Sequence, residues 1–204
     1  GFLGSNIYPK CKSNSKKQIL FPLSSAKKFV RRAIVGEDMF EILQSISDVS
    51  SVVSDFKDYE LIIKIHPTDS LNIPLYKLAT ADNKNVKIVL SGNINEIISK
   101  SQLIIVYEGS VATEALGNGR NVICYNYTNR PSYVTSIYQH VNHDHKKGAA
   151  LKMAYTKIEL SNEIKNLLNY SSSAIESPNL DFVLENLKTN YNVKKVVDDL
   201  INNS

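Results

Sequence analysis

One run of consecutive apolar residues, at positions 103–107, constrains the fold of this chain more than any other feature. A strand that is apolar at every position, and not only at every second one, is expected where both faces of a sheet are covered, as in parallel α/β sheets. The run leads into Glu108-Gly109-Ser110, and a helical pattern at residues 111–116 then stops at Gly117-Asn118-Gly119. This succession of strand, turn and helix predicts a parallel sheet.

The rest of the chain repeats the alternation. Further strands are predicted at residues 18–22, 61–65, 86–90, 121–125 and 151–155. Helices are predicted at residues 37–54, 71–78, 93–100, 133–140, 159–168 (capped by Ser161 or Thr156) and, as one or two helices, at 181–201. Strands that alternate with helices indicate an α/β fold, a Rossmann-like parallel sheet flanked by helices. We expect residues 18–204 to form this single domain and residues 1–17 to be a linker or N-terminal arm.

Composition excludes several classes of protein. The 204 residues, 43% of them hydrophobic, are enough for a full core. A net charge of +4 is too small to indicate nucleic-acid binding. The two cysteines, Cys11 and Cys124, form no disulfide framework, which favours a reducing, cytoplasmic compartment. No apolar stretch approaches the ~20 residues of a membrane helix, and the N-terminus, which begins at Gly1, has no signal-peptide pattern. The start at glycine suggests a processed chain or a fragment.

Polar residues follow each of the first five predicted strands. In an open parallel sheet, ligands bind beyond the carboxyl ends of the strands, so these segments are where a site is expected. They are Leu23-Ser24-Ser25, His66-Pro67-Thr68, Ser91-Gly92, Glu108-Gly109-Ser110 and the stretch from Asn126 onward.

The fourth of these segments has the composition of an anion site. A buried strand, Gly109, Ser110 and a helix N-terminus would present amide N–H groups and a favourable helix dipole to a phosphate. Ser110 could cap the helix and also donate to the ligand, while Thr113 and Glu114 stand on its first turns, where Glu114 could accept from sugar hydroxyls. A plain N-cap and a solvated acid are the alternatives. Neither G-x-G-x-x-G nor G-x-x-x-x-G-K-[ST] occurs in the chain.

A second candidate lies at Lys64-Ile65-His66-Pro67, where a predicted strand ends. Lys64 and His66 are two residues apart and would share one side of the strand, and a lysine is unusual inside a buried strand. A cation and an imidazole at this edge suit a phosphate. An edge strand with a solvated lysine and a capping histidine is the alternative.

Together, these segments resemble a known family. Lys64-Ile65-His66-Pro67, followed by residues 108–116 and by Gly119-Arg120-Asn121-Val122-Ile123, resembles the nucleotide-binding half of GT-B transferases. The resemblance covers residues 18–125 and is to the bacterial surface (capsular) polysaccharide group: capsule-type sugar transferases, polysialyltransferase-like enzymes and CDP-glycerol glycerophosphotransferases. These share an apolar strand ending in K-x-H-P and a later G-S/T-x-x-x-E-A-x-x-x-G-x-P-V segment.

The resemblance implies a nucleotide-activated donor of CMP/CDP or UDP type. It implies His66 at the donor phosphates, Ser110 and Thr113 near the phosphate or base, and Glu114 on the ribose. The predicted nucleotide- and phosphate-binding set is completed by Ser24, Ser25, Lys64 and Gly109. The family pattern has a proline where this chain has Asn121, and often aspartate or serine in place of Tyr107-Glu108, so the donor stays open.

Length then suggests a half enzyme, because a complete GT-B transferase has two Rossmann-like domains. The N-terminal acceptor domain, and a polysaccharide or lipid-linked acceptor, would be the missing partners, and the chain alone could be inactive. The basic cluster Lys27-Lys28 with Arg31-Arg32 could attract a phosphorylated donor or the inner face of an anionic membrane, or could be a solvated loop.

Other constellations are weaker. His140, His143 and His145 with Asp144 match no common zinc spacing, so we expect a polar loop and neither a metal nor a cofactor. Arg130, Tyr133 or His140 could contact the transferred group. Two other functions stay open: a domain like that of the UDP-sugar 2-epimerases, and a non-catalytic Rossmann-like binding module.

Overall fold

In the described part of the chain, six parallel strands form a single sheet. The computed structural model describes residues 17–24, 38–81, 83–130, 133–138 and 151–169. The strands are β1 (Gln18–Pro22), β2 (Glu60–Lys64), β3 (Val86–Val89), β4 (Leu103–Val106), β5 (Asn121–Tyr125) and β6 (Leu151–Ala154). Their order across the sheet is β3-β2-β1-β4-β5-β6, and every neighbouring pair is parallel. The Rossmann-like parallel sheet predicted from the sequence is confirmed.

Helices connect the strands, and their bounds lie close to the predicted ones. They are α1 (Met39–Val53), α2 (Ile73–Ala79), α3 (Ile94–Lys100), α4 (Val111–Gly117), α5 (Tyr133–Tyr138) and α6 (Lys157–Asn169), with a 3₁₀ helix, Pro67–Asn72, directly before α2. Thr156 caps α6 through a 3.2 Å bond from the amide of Glu159. Ser161 was the other predicted cap, and that prediction is wrong because Ser161 lies inside the helix, where no amide N–H groups remain to be capped.

The β4 strand shows why its sequence is apolar throughout. Leu103 and Ile105 pack on one face of the sheet against α1 and α6, whereas Ile104 and Val106 pack on the other face against α3, α4 and α5. All four side chains are fully buried. Successive side chains of a strand point to opposite faces, so a strand covered on both sides has no position for a solvated residue.

The path of the chain defines a switch point at the centre of the sheet. From β1 the chain moves outward through β2 to β3, then returns to β4 on the other side of β1 and continues through β5 to β6. The two halves diverge between β1 and β4, and a crevice between the connecting segments is expected at the carboxyl edge there.

A buried polar network ties the sheet to α1 and α6. The Tyr125 hydroxyl donates a 2.8 Å hydrogen bond to one carboxylate oxygen of Asp48, and the other oxygen accepts from Gln44 at 2.9 Å. That second oxygen also lies 3.6 Å from the Lys157 ammonium. Burial, and then the bond to Asp48, raise the pKa of Tyr125.

Some predicted features lie outside the described residues. They are the N-terminal arm, Ser25, the basic cluster of Lys27-Lys28 and Arg31-Arg32, the group of His140, His143, Asp144 and His145, and the helices expected at residues 181–201. The division into residues 1–17 and 18–204 stays a prediction.

Candidate functional site

Three of the predicted site segments meet at the carboxyl edge of the sheet. Ser24 follows β1, His66 follows β2, and Gly109 and Ser110 follow β4. Because β1 is hydrogen-bonded to β2 on one side and to β4 on the other, the three segments are neighbours around the switch point. The role of these residues in nucleotide binding stays a prediction.

His66 is exposed, and one nitrogen of its ring makes hydrogen bonds within the chain. It is the N-cap of the 3₁₀ helix, with an extended backbone, and Pro67 follows as the first helical residue. Its Nδ1 accepts from the amide of Thr68 at 3.3 Å and lies 2.8 Å from the Thr68 hydroxyl oxygen. An imidazole that accepts at Nδ1 carries its proton on Nε2, so His66 can donate from this second nitrogen.

Lys64 lies next to the site, but its ammonium is engaged by the sheet. The side chain is buried, and Nζ donates to the carbonyls of Leu90 at 2.8 Å and Ile65 at 3.1 Å. Burial lowers the pKa of Lys64. These bonds join the carboxyl ends of β2 and β3, which explains a lysine in a buried strand. The predicted contact with a phosphate would have to be made in addition to them.

The loop between β4 and α4 holds a hydroxyl–carboxylate pair. The Ser110 hydroxyl donates to Glu114 Oε1 at 2.9 Å and makes no capping hydrogen bond, so the prediction that this side chain caps α4 is wrong. The reason is local: Ser110 has helical backbone angles (φ −64°, ψ −18°), whereas a capping side chain needs an extended backbone to reach the free amides. Its hydroxyl instead meets Glu114, because side chains four residues apart are neighbours. Thr113 is buried, and its hydroxyl donates to the Ser110 carbonyl at 2.7 Å. Glu114 thus has one oxygen oriented by Ser110.

Gly109 supplies the room at this loop. Its φ of +112° lies in a region that residues with a side chain rarely adopt, and a Cβ built there would meet no atom of the described residues within 4 Å. As far as those residues go, the loop has open space beside its backbone at the switch point, as close approach of a ligand requires.

Glu108 is a further candidate for ligand binding. In the sequence it stood out only because the family pattern often has aspartate or serine in place of Tyr107-Glu108. Its Oε2 is buried and, within the described parts of the chain, has no hydrogen-bond partner. Buried polar atoms are normally paired because desolvation without a partner is costly. Glu108 and Glu114 give the loop two carboxylates. Carboxylates accept hydrogen bonds and repel negative charge, so they suit the N–H and O–H groups of a ligand better than an anionic group.

The loop after β5 contacts the first turn of α1 through an ion pair. Arg130 makes a two-bond ion pair with Glu41, one bond being 3.0 Å from Nη1 to Oε2. Glu41 also completes a capping box with Asp38 at the start of α1. Asn126 is buried and donates to the Arg130 carbonyl at 2.7 Å. The predicted contact of Arg130 with a transferred group stays a prediction, and the guanidinium is already paired.

The described residues contain no group of three or more His, Cys, Asp or Glu residues that could hold a metal ion. Among the same residues, no helix is long and apolar enough to cross a membrane.

The fold is shared with solved structures that include a UDP-GlcNAc 2-epimerase and a rhamnosyltransferase. UDP-GlcNAc 2-epimerase from Neisseria meningitidis, bound to UDP-GlcNAc, is similar at a TM-score of 0.55 and 15% identity, covering 90% of this chain and 46% of that one. The TarM G117R mutant of S. aureus, in complex with fondaparinux, α-GlcNAc-glycerol and UDP, has a TM-score of 0.56 and 14% identity, covering 97% and 37%. The spinosyn rhamnosyltransferase SpnG, complexed with spinosyn aglycone, has a TM-score of 0.50 and 11% identity, covering 82% and 41%.

These likenesses define a GT-B-like fold, and at such low identity they show the fold alone. The chain spans less than half the length of each of these three proteins. No protein-family model matches the chain, and no curated protein matches it by sequence.

Proposed function

We propose that this chain is the nucleotide-binding half of a transferase that uses a nucleotide-activated sugar or polyol phosphate to build a surface polysaccharide. The observation that carries the proposal is the meeting of Ser24, His66 and the Gly109-Ser110 loop at the switch point of a GT-B-like sheet. Ligands of such sheets bind there, and similar folds occur in proteins solved with UDP-GlcNAc or UDP.

His66 is the proposed phosphate contact. It is exposed at the edge, and Nδ1 is taken up by the cap, which leaves Nε2–H as a donor for a phosphate oxygen. Hydrogen bonds with a charged partner are shorter and about twice as strong as neutral ones. The donor is of the CMP/CDP or UDP type that the family resemblance implies.

Glu114 is the proposed ribose contact. One of its oxygens is oriented by Ser110, and a carboxylate can accept from two vicinal hydroxyls at once. Because His66 follows β2 and Glu114 lies in the helix after β4, phosphate and ribose would lie on opposite sides of the crevice above β1. Within the described residues, Gly109 leaves space for the ligand beside the loop.

The proposal assigns no catalytic group to this chain. Because the chain spans less than half of the similar enzymes, the acceptor domain and the reacting residues would lie in a partner domain. The acceptor would be a polysaccharide or a lipid-linked precursor at the cytoplasmic face of the membrane. Nucleic acid is not expected to bind.

Phosphate binding is tested by calorimetric titration of UDP and CDP into the wild type and His66→Ala. Loss of one charge-assisted bond is worth ~1.5–3 kcal/mol, so affinity should fall by about tenfold or more. Gln102→Ala is the control, because Gln102 is exposed at the amino end of β4, on the opposite edge. Equal affinities for wild type and His66→Ala would refute the phosphate role.

Ribose binding is tested with Glu114→Gln and two ligands, a ribonucleotide and its 2′,3′-dideoxy analogue. The amide has one acceptor oxygen instead of two, so the ribonucleotide should lose affinity while the dideoxy ligand barely responds. Glu96→Gln is a matched control, since Glu96 also lies in the first turn of a seven-residue helix, α3. Equal losses for both ligands would mean that Glu114 does not contact the ribose.

A second candidate is a domain of a UDP-sugar 2-epimerase, which the likeness to the Neisseria meningitidis enzyme favours. Incubating the full-length protein with labelled UDP-GlcNAc separates the two: transfer to an acceptor supports the transferase, and a C2-inverted sugar supports the epimerase. If the chain is instead a non-catalytic binding module, we expect the nucleotide to bind and neither product to form. If none of these nucleotides raises the melting temperature, nucleotide binding itself is refuted, because a ligand of the folded state must stabilise it.

A further inference from the structure

We infer that Thr68 is a positioning residue for the imidazole of His66: its hydroxyl holds Nδ1 as an acceptor and thereby directs Nε2–H toward the crevice. This inference rests on the proposed phosphate contact of His66. Thr68 lies two residues further along the chain, at the second position of the 3₁₀ helix.

The direction of the hydrogen bonds follows from the contacts of Nδ1. The Thr68 amide, 3.3 Å from Nδ1, can only donate, so Nδ1 carries no proton. The Thr68 hydroxyl oxygen, 2.8 Å from the same nitrogen, then also donates to it. One residue thus contributes two donors to one ring nitrogen.

A competing acceptor for the hydroxyl proton is farther away. Asp69 Oδ1 lies 3.5 Å from the Thr68 hydroxyl oxygen, at the limit of hydrogen bonding, compared with 2.8 Å for His66 Nδ1. Asp69 is fully buried and also accepts from the Tyr76 hydroxyl at 3.5 Å. The shorter contact decides where the proton lies, and it points to His66.

The hydrogen bonds from Thr68 order the His66 ring before a ligand binds. An exposed imidazole would otherwise rotate and exchange its proton between the two nitrogens. Two hydrogen bonds to Nδ1 select one tautomer and one orientation, so the ligand does not have to order the ring. Ordering one side chain before binding is worth about two- to tenfold in affinity.

The matched variants are Thr68→Val, which keeps the shape and the amide but removes the hydroxyl, and Thr68→Ser, which keeps the hydroxyl. Imidazole nitrogens are observed by ¹⁵N NMR at pH 8, with the His66 signals assigned from their loss in His66→Ala. Wild type and Thr68→Ser should show His66 protonated at Nε2 with a hydrogen-bonded Nδ1. In Thr68→Val the fraction protonated at Nδ1 should rise. An unchanged spectrum would overturn the inference.

Affinity gives the functional readout. Thr68→Val should weaken UDP about two- to tenfold, Thr68→Ser should not, and uridine, which lacks phosphate, should bind all three alike. In the His66→Ala background the effect of Thr68→Val should disappear, because Thr68 acts through His66. A loss that persists there, or one that extends to uridine, would contradict positioning and indicate direct contact or damage to the fold.

The two proposals fail in different ways. If the wild type does not bind UDP or CDP, the proposed function is refuted, while the NMR comparison still tests the hydrogen bonds of His66. If His66→Ala weakens UDP but Thr68→Val changes neither the spectrum nor the affinity, the phosphate contact stands and the positioning role of Thr68 is refuted.

Discussion

Removing one hydroxyl from the core, by Tyr125→Phe, tests the buried network that joins β5 to α1. Tyr125 is 1% exposed and Asp48 is 7% exposed, and their hydrogen bond is 2.8 Å long. The substitution leaves a carboxylate oxygen buried without its donor. A hydrogen bond to a charged group contributes ~1.5–3 kcal/mol, so we expect the free energy of unfolding to fall by about 2 kcal/mol.

Urea unfolding at neutral pH measures this loss, and thermal unfolding should show a melting temperature about 4–8 °C lower for a chain of this size. Tyr155→Phe is the matched control, because Tyr155 is 41% exposed and, within the described residues, no hydrogen bond of its hydroxyl is seen. A loss below about 0.5 kcal/mol, or one equal to that of the control, would refute the reasoning.

The same pair predicts a dependence on pH. The pKa of Tyr125 in the folded state is raised above its usual 10.0, first by burial and then by the bond to Asp48. Above pH 10 the unfolded chain therefore releases a proton that the native state keeps, and the contribution of Tyr125 to stability declines as pH rises. The difference between wild type and Tyr125→Phe should narrow by about 1.4 kcal/mol between pH 8 and pH 11. A constant or widening difference would contradict the raised pKa.

Two further predictions concern the edges of the site. Glu41→Gln keeps the cap of α1 but removes the charge opposite Arg130, which is 40% exposed, so it should cost less than about 1 kcal/mol and cost still less at high salt. Glu41→Ala also removes the acceptor of the Asp38 amide, although Asp38 still accepts from the amide at position 41, and should cost about 1 kcal/mol more in urea unfolding. Equal losses would mean that the bond from the Asp38 amide contributes nothing. Gly109→Ala, at a φ of +112°, should destabilise by about 1–3 kcal/mol. Backbone strain is the expected cause, because the added Cβ meets no neighbour among the described residues. Gly119→Ala, at a φ of +68° in the left-handed helical region, should cost less, and the reverse order in thermal unfolding would show that strain is not the cause.

The sequence by itself determined the class of fold. The apolar run of β4 can be satisfied only by burial on both faces, and the alternation of strands and helices requires parallel pairing. Element bounds were close for the same reason, since they depend on patterns of a few residues. The hydrogen bond between Ser110 and Glu114 could also have been predicted from the sequence. The two residues are four apart at the start of one helix, and side chains at this spacing are neighbours whatever the rest of the chain does.

The tertiary structure alone determined the contacts between residues that are distant in sequence. The lysine at position 64 looks like a phosphate ligand in sequence, yet its ammonium bonds a carbonyl 26 residues away, at the end of the neighbouring strand. The place of β1 between β2 and β4 is likewise invisible in the sequence, although it brings Ser24, His66 and Ser110 to one edge. The order of the strands and the hydrogen bonds between buried side chains depend on the packing of the whole core. Each core side chain packs against residues from several elements, so a pattern of a few neighbouring residues does not predict these contacts.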